Sequence, residues 1–491
     1  MILVLVVLIG CAPDPARHAR TPHAPQRPNL VFVLTDDLTS DLLAYMPNVR
    51  ALQRDGRTFA NYFVTDSFCC PSRASIFTGQ FPHDTKVYVN SGRNGGFGGF
   101  TRNGKDRQTY ATALHAGGYR TAMFGKYLNE YGKNTTYVPP GWDEWHVSDN
   151  GYGGFGYTIN DNGTLHRHGH KRRDYFTDVL SAKAQAFIDR SADARQPFAM
   201  EVAPFAPHVP ATPAPRDAGR FTKVRAPRGA AFNPADMTAK PCWLRNNRRL
   251  TGGQFREIDK EYVRRVQSVQ AVDRMVGRLR ATLRARGLER NTYVVFSSDN
   301  GYHMGQYRLM PGKLTAYDTD VKVPLIVAGP SVRRGGRTDA LAENVDLAPT
   351  FEDLAGVPVP ATVDGRSLVP ELLGRRDPDA PGAVLIEHHG PAPKNRADPD
   401  RAPDNAGNPP SYQAIRTANE LYVRYGTGDR EYHDLRTDPH ELTNTWATLP
   451  AWRQARLERI LRGLSTCHGR TSCTAAGRAA MSSAGGGGLP R

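Results

Sequence analysis

Two unbroken apolar stretches, each ending in an acidic residue followed by Asp or Asn, constrain the fold more than any other feature of this chain. Asn29-Leu30-Val31-Phe32-Val33-Leu34-Thr35 runs from Pro28 into Asp36-Asp37, and Thr292-Tyr293-Val294-Val295-Phe296-Ser297 runs on to Asp299-Asn300-Gly301. A strand without polar alternation must be covered on both faces, as in a buried parallel sheet. Around them the pattern alternates. Arg107 to Ala116 reads as helix, Tyr119 to Phe124 as strand, Phe176 to Arg190 as amphipathic helix and Phe198 to Val202 as strand. Gln254 to Gly287 is a long helix with Val263, Val266, Val269, Val272 and Val276 at helical spacing, and Val323 to Ala328 is one more strand. Such alternation predicts an α/β fold around a mostly parallel sheet. Ligands of these sheets bind beyond the strand carboxyl ends, where both acidic pairs lie.

Four regions are expected. Residues 1–28 hold an apolar run, Met1 to Gly10, and a Pro-rich linker; residues 29–373 form the α/β domain. Residues 374–466 form a smaller domain in which Val384–Glu387, Tyr412–Arg416, Leu421–Tyr425 and Glu431–Leu435 pair antiparallel, followed by a helix from Pro450 to Leu464. Residues 467–491 are a tail, expected to be disordered from Thr474 because Gly, Ala and Ser dominate it. Pro391 to Pro410 and Gly92 to Gly104 read as loops, the second on the rim of a pocket. Ten apolar residues are too few to span a bilayer and fit a signal segment, while Leu8-Ile9-Gly10-Cys11 resembles a bacterial lipobox with Cys11 as the lipidated residue. The expectation is export, to the cell exterior or to its surface as a bacterial lipoprotein, with the membrane reached only through Cys11.

Six cysteines and a formal charge of +16 narrow the chemistry. Cys467 and Cys473 close a short loop suited to a disulfide in an oxidising compartment; a Cys70–Cys242 bridge is arithmetically open. There is no C-x-x-C pair to hold zinc. The charge suits a polyanionic substrate or surface, and equally a general arginine bias of the source genome; the basic residues read as scattered, no nucleic-acid-binding motif is present, and no nucleic-acid partner is expected.

Cys69-Cys70-Pro71-Ser72-Arg73 followed by Thr78-Gly79 places two thiols before a proline and an arginine at the start of a small-residue run. A helix N-terminus and a nearby arginine favour a thiolate. Asp36, Asp37, Asp299 and Asn300 add hard oxygens from two strand ends, suited to calcium or magnesium. The C-x-P-S-R…T-G pattern resembles the signature of the type I sulfatases, and the resemblance extends through Gly118-Tyr119-Arg120-Thr121…Gly125-Lys126, Ala206-Pro207-His208-Val209-Pro210, Pro311-Gly312-Lys313 and Tyr432-His433-Asp434-Leu435 to Asn444. Gly125 to Gly132, with Leu128 where many arylsulfatases carry histidine, Pro139 to Trp145, Asp299 to Tyr307 and Tyr317 to Pro324 are similar to the N-acetylglucosamine-6-sulfatases and heparan endosulfatases.

The resemblance implies an alkaline-phosphatase-like α/β fold with a smaller C-terminal antiparallel-sheet domain. It implies that a formylglycine-generating enzyme converts Cys69 to formylglycine (3-oxoalanine). One divalent ion, usually Ca²⁺ with Mg²⁺ as the variant, is then held by Asp36, Asp37, Asp299, Asn300 and residue 69. The aldehyde hydrate attacks sulfur with one hydroxyl and expels sulfate with the other. Arg73, Lys126 and Lys313 neutralise the sulfuryl oxygens, and His208 protonates the leaving oxygen. His303 is a candidate for part of the proton handling, with a structural role as the other reading. Trp142 and Trp145 could stack on sugar rings. The expected substrate is a sulfated saccharide of the N-acetylglucosamine-6-sulfate type or an aryl sulfate. The alternatives are a phosphate or phosphonate monoester hydrolase of the same superfamily and a non-catalytic lipoprotein that binds sulfated glycans.

Overall fold

The structure is a computed structural model that describes residues 27–132, 134–148, 150–392 and 405–480. The lipobox at Cys11, the linker up to residue 26 and most of the Pro391–Pro410 loop lie outside the described residues. The strands are β1 (Asn29–Thr35), β2 (Arg57–Phe63), β3 (Arg120–Gly125), β4 (Glu144–Val147), β5 (Thr158–Asp161), β6 (Thr164–Arg167), β7 (Phe198–Ala203), β8 (Thr292–Ser298), β9 (Leu325–Ala328), β10 (Gly336–Glu343), β11 (Val384–His388), β12 (Tyr412–Arg416), β13 (Glu420–Tyr425) and β14 (Arg430–Asp434). The first ten make one sheet in the order β10-β2-β9-β8-β1-β7-β3-β4-β5-β6. Its centre is parallel, as the apolar runs require. The Val323–Ala328 strand, shortened to β9, runs antiparallel to both β8 and β2.

Strand β1 is buried at every position. Leu30, Phe32 and Leu34 face one core and Val31 and Val33 the other, so both faces are covered. The Phe176–Ala194 and Gly252–Ala285 helices pack on the second face; the Cys69–Thr78, Tyr110–Ala116 and Leu347–Ala355 helices pack on the first. In the long helix, Ile258, Tyr262, Arg265, Val269, Val272, Val276, Leu279 and Leu283 are buried at alternating four- and three-residue spacing. One member of that apolar stripe is an arginine.

Strands β11 to β14 form the expected antiparallel sheet. Val384, Ile386, Ala414 and Val423 join the main core, while Leu385, Ile415 and Tyr422 pack under the Ala451–Leu464 helix. The tail expectation is corrected: Gly469–Ala479 is a helix, tied to the preceding turn by the Cys467–Cys473 disulfide and seated through Cys473 in the same small core. A disulfide restricts the unfolded chain and holds this Ala-rich helix to its core. Cys70 and Cys242 are not bridged; Cys70 is buried and Cys242 exposed. The Gly92–Gly104 segment contains a helix, Gly96–Arg102, whose Gly96 lies too close to Glu130 and Asn90 to accept a side chain. Trp142 and Trp145 belong to the core, and Trp145 Nε1 donates to Tyr131 at 2.7 Å, so neither offers a face to a sugar.

Candidate active site

Parallel pairing of β1 with β8, in register from Asn29↔Thr292 to Thr35↔Ser298, brings both strands to the same level at their carboxyl ends. The chain beyond each strand therefore sets Asp36-Asp37 beside Asp299-Asn300. Asp37 adopts a left-handed backbone (φ 64°), and its amide donates to Asp299 Oδ1 at 3.1 Å. Asn300 donates through Nδ2 to Asp37 Oδ1 at 2.6 Å. All four residues are fully buried.

Cys69 opens a ten-residue helix that is buried throughout. Its Sγ lies 3.3 Å from Asp36 Oδ1 and 3.5 Å from Asn300 Oδ1, and Lys313 Nζ donates to it at 2.8 Å. Arg73, one helical turn on, shares the face of Cys69. Its Nε pairs with Asp299 Oδ2 at 2.8 Å and its Nη1 donates to the Lys126 carbonyl at 3.0 Å. Lys126 follows Gly125, where a Cβ would stand 2.0 Å from the Ala203 carbonyl, so only glycine lets β3 turn here. Lys126 Nζ reaches Asp36 Oδ2 at 2.7 Å, and Lys313 Nζ reaches Asp37 Oδ1 at 2.7 Å. Three carboxylates thus meet three cations, which makes burial of each charge tolerable. Burial still pushes the Asp299 carboxyl up to about 6, reinforced by Asp36 and opposed by Arg73. Burial works against the Arg73 cation, but Asp299 and Asp36 outweigh it and hold the guanidinium above its ordinary value.

The cluster contains a group with an unmet demand. Among the described residues, Asp37 Oδ2 is buried with no hydrogen-bond partner, and so is Arg73 Nη2. A buried carboxylate oxygen left bare costs several kcal/mol unless a cation meets it. Ligand atoms of Asp36, Asp37, Cys69 and Asp299 all lie within 4.8 Å of one another. The residues present fit a hard divalent ion.

His208 stands beside the same cluster. Its Nε2 is 3.7 Å from Asp37 Oδ2, its Nδ1 pairs with the Val209 carbonyl at 2.6 Å, and its ring packs 4.8 Å from that of Tyr152. His303 is set differently. Its Nδ1 meets Asp320 Oδ2 at 2.9 Å, its Nε2 meets the Ala406 carbonyl at 3.0 Å, and its backbone pairs with Gly312. Asp320 in turn accepts from Thr315. Both ring nitrogens of His303 are spent on holding the segment that presents Lys313.

Several contributors escape a reading of motifs. Ser72 Oγ donates to the Asp299 carbonyl, Asn344 Nδ2 holds Ser72 Oγ at 2.9 Å, and Asn90 accepts the Cys70 amide at 2.9 Å. Arg265 donates to the Asp37 carbonyl at 2.5 Å and stacks over Tyr302. Tyr152 lies under Lys126 Nζ at 5.0 Å. Ser72 lies inside the Cys69 motif without a role read from it, and Arg265 carried a signal as the one charged residue on the buried stripe of the long helix.

Known proteins resemble this chain over most of its length. The family profile described as Sulfatase matches residues 28–357. Human N-acetylglucosamine-6-sulfatase is 34% identical over 96% of this chain and 90% of its own length. The extracellular sulfatase Sulf-1 homologue of Caenorhabditis elegans is 37% identical over 70% of this chain, which spans 48% of that protein. A solved structure in complex with its substrate D-glucosamine-2-N,6-O-disulfate superposes with a TM-score of 0.71 at 26% identity, covering 89% of this chain and 97% of the other.

Proposed function

The chain belongs to the sulfatase family, and on that premise we propose that it is an exported hydrolase of sulfate esters on sulfated sugars. Its substrate on this reading carries a 6-O-sulfated N-acetylglucosamine-type residue. The observation that supports it best is the convergence of Cys69 Sγ, three carboxylates and the ammonium groups of Lys126 and Lys313 in one buried cluster. The substrate class rests on the human relative's name and on the glucosamine disulfate bound by the structural neighbour.

Oxidised to formylglycine, residue 69 would supply an aldehyde hydrate whose oxygen attacks sulfur. A calcium or magnesium ion held by Asp36, Asp37, Asp299 and Asn300 would supply positive charge beside that oxygen. The chain's own residues do the rest. Lys126 and Lys313 have ammonium groups already turned toward the cluster, and they neutralise the sulfuryl oxygens as negative charge moves through the transition state. Arg73 fixes Asp299 and the Lys126 carbonyl, with Nη2 left for a further acceptor. His208 delivers a proton to the sugar oxygen as the S–O bond breaks, so that the sugar leaves as a neutral alcohol. His303 keeps the Lys313 segment in place.

Mass measurement of the tryptic peptide beginning after Arg57 tests the nucleophile: a loss of about 18 Da at Cys69 marks the aldehyde. Sulfate release from N-acetylglucosamine-6-sulfate, set against matched 4-nitrophenyl sulfate and phosphate, tests the substrate. Faster phosphate release would replace this reading with the phosphomonoesterase one. An intact thiol with binding but no release would favour the glycan-binding lipoprotein.

A further inference from the structure

The charge is not scattered after all. Seven of the eight residues from 166 to 173 are basic or histidine: His166, Arg167, His168, His170, Lys171, Arg172 and Arg173. All but the half-buried His168 are exposed. Elsewhere on the surface some arginines are paired, as Arg190 is with Glu144 and Arg216 with Asp178, and others stand without an ion pair among the described residues; this stretch is set apart by the density of its charge. In this stretch none of Arg167, Lys171, Arg172 and Arg173 takes part in an ion pair among the described residues. The carboxylates nearby are committed. Asp161 is held by Lys183 at 2.5 Å and His146 at 2.6 Å, and Asp174 accepts the Lys171 amide at 2.9 Å.

Strand β6 is the outer edge of the sheet, and charged side chains on an edge discourage pairing with another chain. Edge protection does not account for Lys171, Arg172 and Arg173, which lie beyond the last paired residue, Arg167. The segment is also fixed in place. His168 donates its amide to the Tyr157 carbonyl at 2.8 Å, and the Gly156 amide donates to the Gly169 carbonyl at 3.0 Å. The His168 ring stacks on Tyr157 at 4.8 Å. Four residues before Gly156 stands Tyr152, which touches both Lys126 and His208. Four residues span at most roughly 14 Å, so the basic segment begins close to the wall of the active site.

We infer that residues 166–173 form an exosite that holds the anionic remainder of a sulfated polysaccharide while one of its sulfate esters occupies the catalytic cluster. This rests on the sulfatase reading for the identity of the chain and deepens it. Unpaired guanidinium and ammonium groups supply donors matched to sulfate oxygens without first breaking an internal pair. A cationic strip of this kind also concentrates a polyanion near the site in a salt-dependent way.

The test compares the full chain with a quadruple variant, Arg167→Ala, Lys171→Ala, Arg172→Ala and Arg173→Ala, none of which lies in the catalytic cluster. A control removes equal charge elsewhere, through Arg245→Ala, Arg248→Ala, Arg249→Ala and Arg256→Ala, all exposed. The exosite variant should elute from immobilised heparin at lower salt, and its KM for heparin should rise about tenfold, four exposed contacts being worth a few tenths of a kcal/mol each. Its kinetics on 4-nitrophenyl sulfate should stay within about twofold of the parent. The control should behave as the parent. Equal effects in both variants, or none, would overturn the exosite. Loss of binding to phosphatidylcholine–phosphatidylglycerol vesicles with heparin binding intact would assign the strip to a membrane surface instead. If the parent releases no sulfate yet the quadruple variant alone loses heparin retention, the catalytic reading fails and the glycan-binding strip stands.

Discussion

Two of the buried clusters that combine opposite charges invite comparison, and they differ in how far their polar atoms are satisfied. The cluster around Cys69 combines Asp36, Asp37 and Asp299 with Arg73, Lys126 and Lys313. The second lies where the C-terminal sheet meets the α/β core. There Glu431 accepts from Tyr317, Tyr425 and His433 at 2.8–3.0 Å, His433 also meets Asp438 at 3.1 Å, and Lys240 Nζ donates to the Glu441 carbonyl and lies over the Tyr317 ring. Among the described residues, buried atoms of Asp37 and Arg73 in the first cluster lack partners, whereas in the second no buried side-chain oxygen or nitrogen of Glu431, His433, Glu441 or Lys240 does. A closed network gives stability and register. An open one keeps an unmet demand in place for something that arrives later. Burial and charge do not distinguish these two clusters, whereas incomplete satisfaction does; orphaned atoms also occur in the Arg366–Glu371 and Asp66–His388 pairs, so it is their coincidence with the Cys69 cluster that points to a site.

The sharpest way to break this contrast is to cut each cluster once. Cys69→Ala should lower kcat for sulfate esters by at least about 10³-fold while leaving the melting temperature nearly unchanged. Glu431→Ala should do the reverse. It strands Lys240 and His433 without their carboxylate, at a cost of about 3–5 kcal/mol, yet kcat per folded molecule should hold. Thermal unfolding and active-site titration on the same preparations separate the two effects. Activity loss from Glu431→Ala without loss of stability would mean that the second cluster is not merely structural.

The open cluster should also respond to what fills it. Calcium or magnesium should raise the melting temperature of chelator-treated protein, by about 2.7 kcal/mol of stability at a hundredfold excess over Kd. Asp37→Asn should remove most of that gain, because the bare Oδ2 becomes an amide group. Glu431→Gln should leave the metal response intact. An equal response in parent and Asp37→Asn proteins would break the link between the orphaned oxygen and the ion.

The openness itself was not legible in the sequence, although most of the residues were. Asp36, Asp37, Asp299 and Asn300 stood out because each pair ends a strand apolar enough to be read unambiguously, and the Cys69 pattern is dense. Strands β2 and β10 were missed since half-buried positions, and in β10 the exposed Arg337 and Asp339, interrupt the buried ones and make them resemble surface sequence. The Gly469–Ala479 helix was missed because Ala, Gly and Ser carry little periodicity; a disulfide and a packed face supply what propensity lacks. Asn344, Asn90 and Tyr152 serve the site only through contacts across long sequence separations, and no local pattern encodes those. His303 was visible with two readings open, and its contacts with Asp320 and the Ala406 carbonyl, which favour the structural one, were not.

The smallest effect belongs to the seam between the two regions, where His83 closes a network of its own. Its Nδ1 meets Glu387 at 2.6 Å and its Nε2 meets the Cys467 carbonyl at 2.8 Å, beside Asp84, which holds His468 at 2.5 Å. Burial alone would lower its pKa, but Glu387 and the carbonyl outweigh burial and push it up to about 9. The imidazolium donates on both sides, clamping the disulfide turn to the α/β domain. A group whose folded value exceeds its unfolded value of 6.5 contributes stability that is complete below that pH and is lost as pH rises through about 9. The melting temperature of the parent should therefore fall across this window more steeply than that of His83→Gln, which keeps a donor but cannot titrate. The two curves should run parallel below pH 6. Parallel curves throughout would show that His83 is neutral in the folded chain, and the seam would then depend on the Asp84–His468 contact instead.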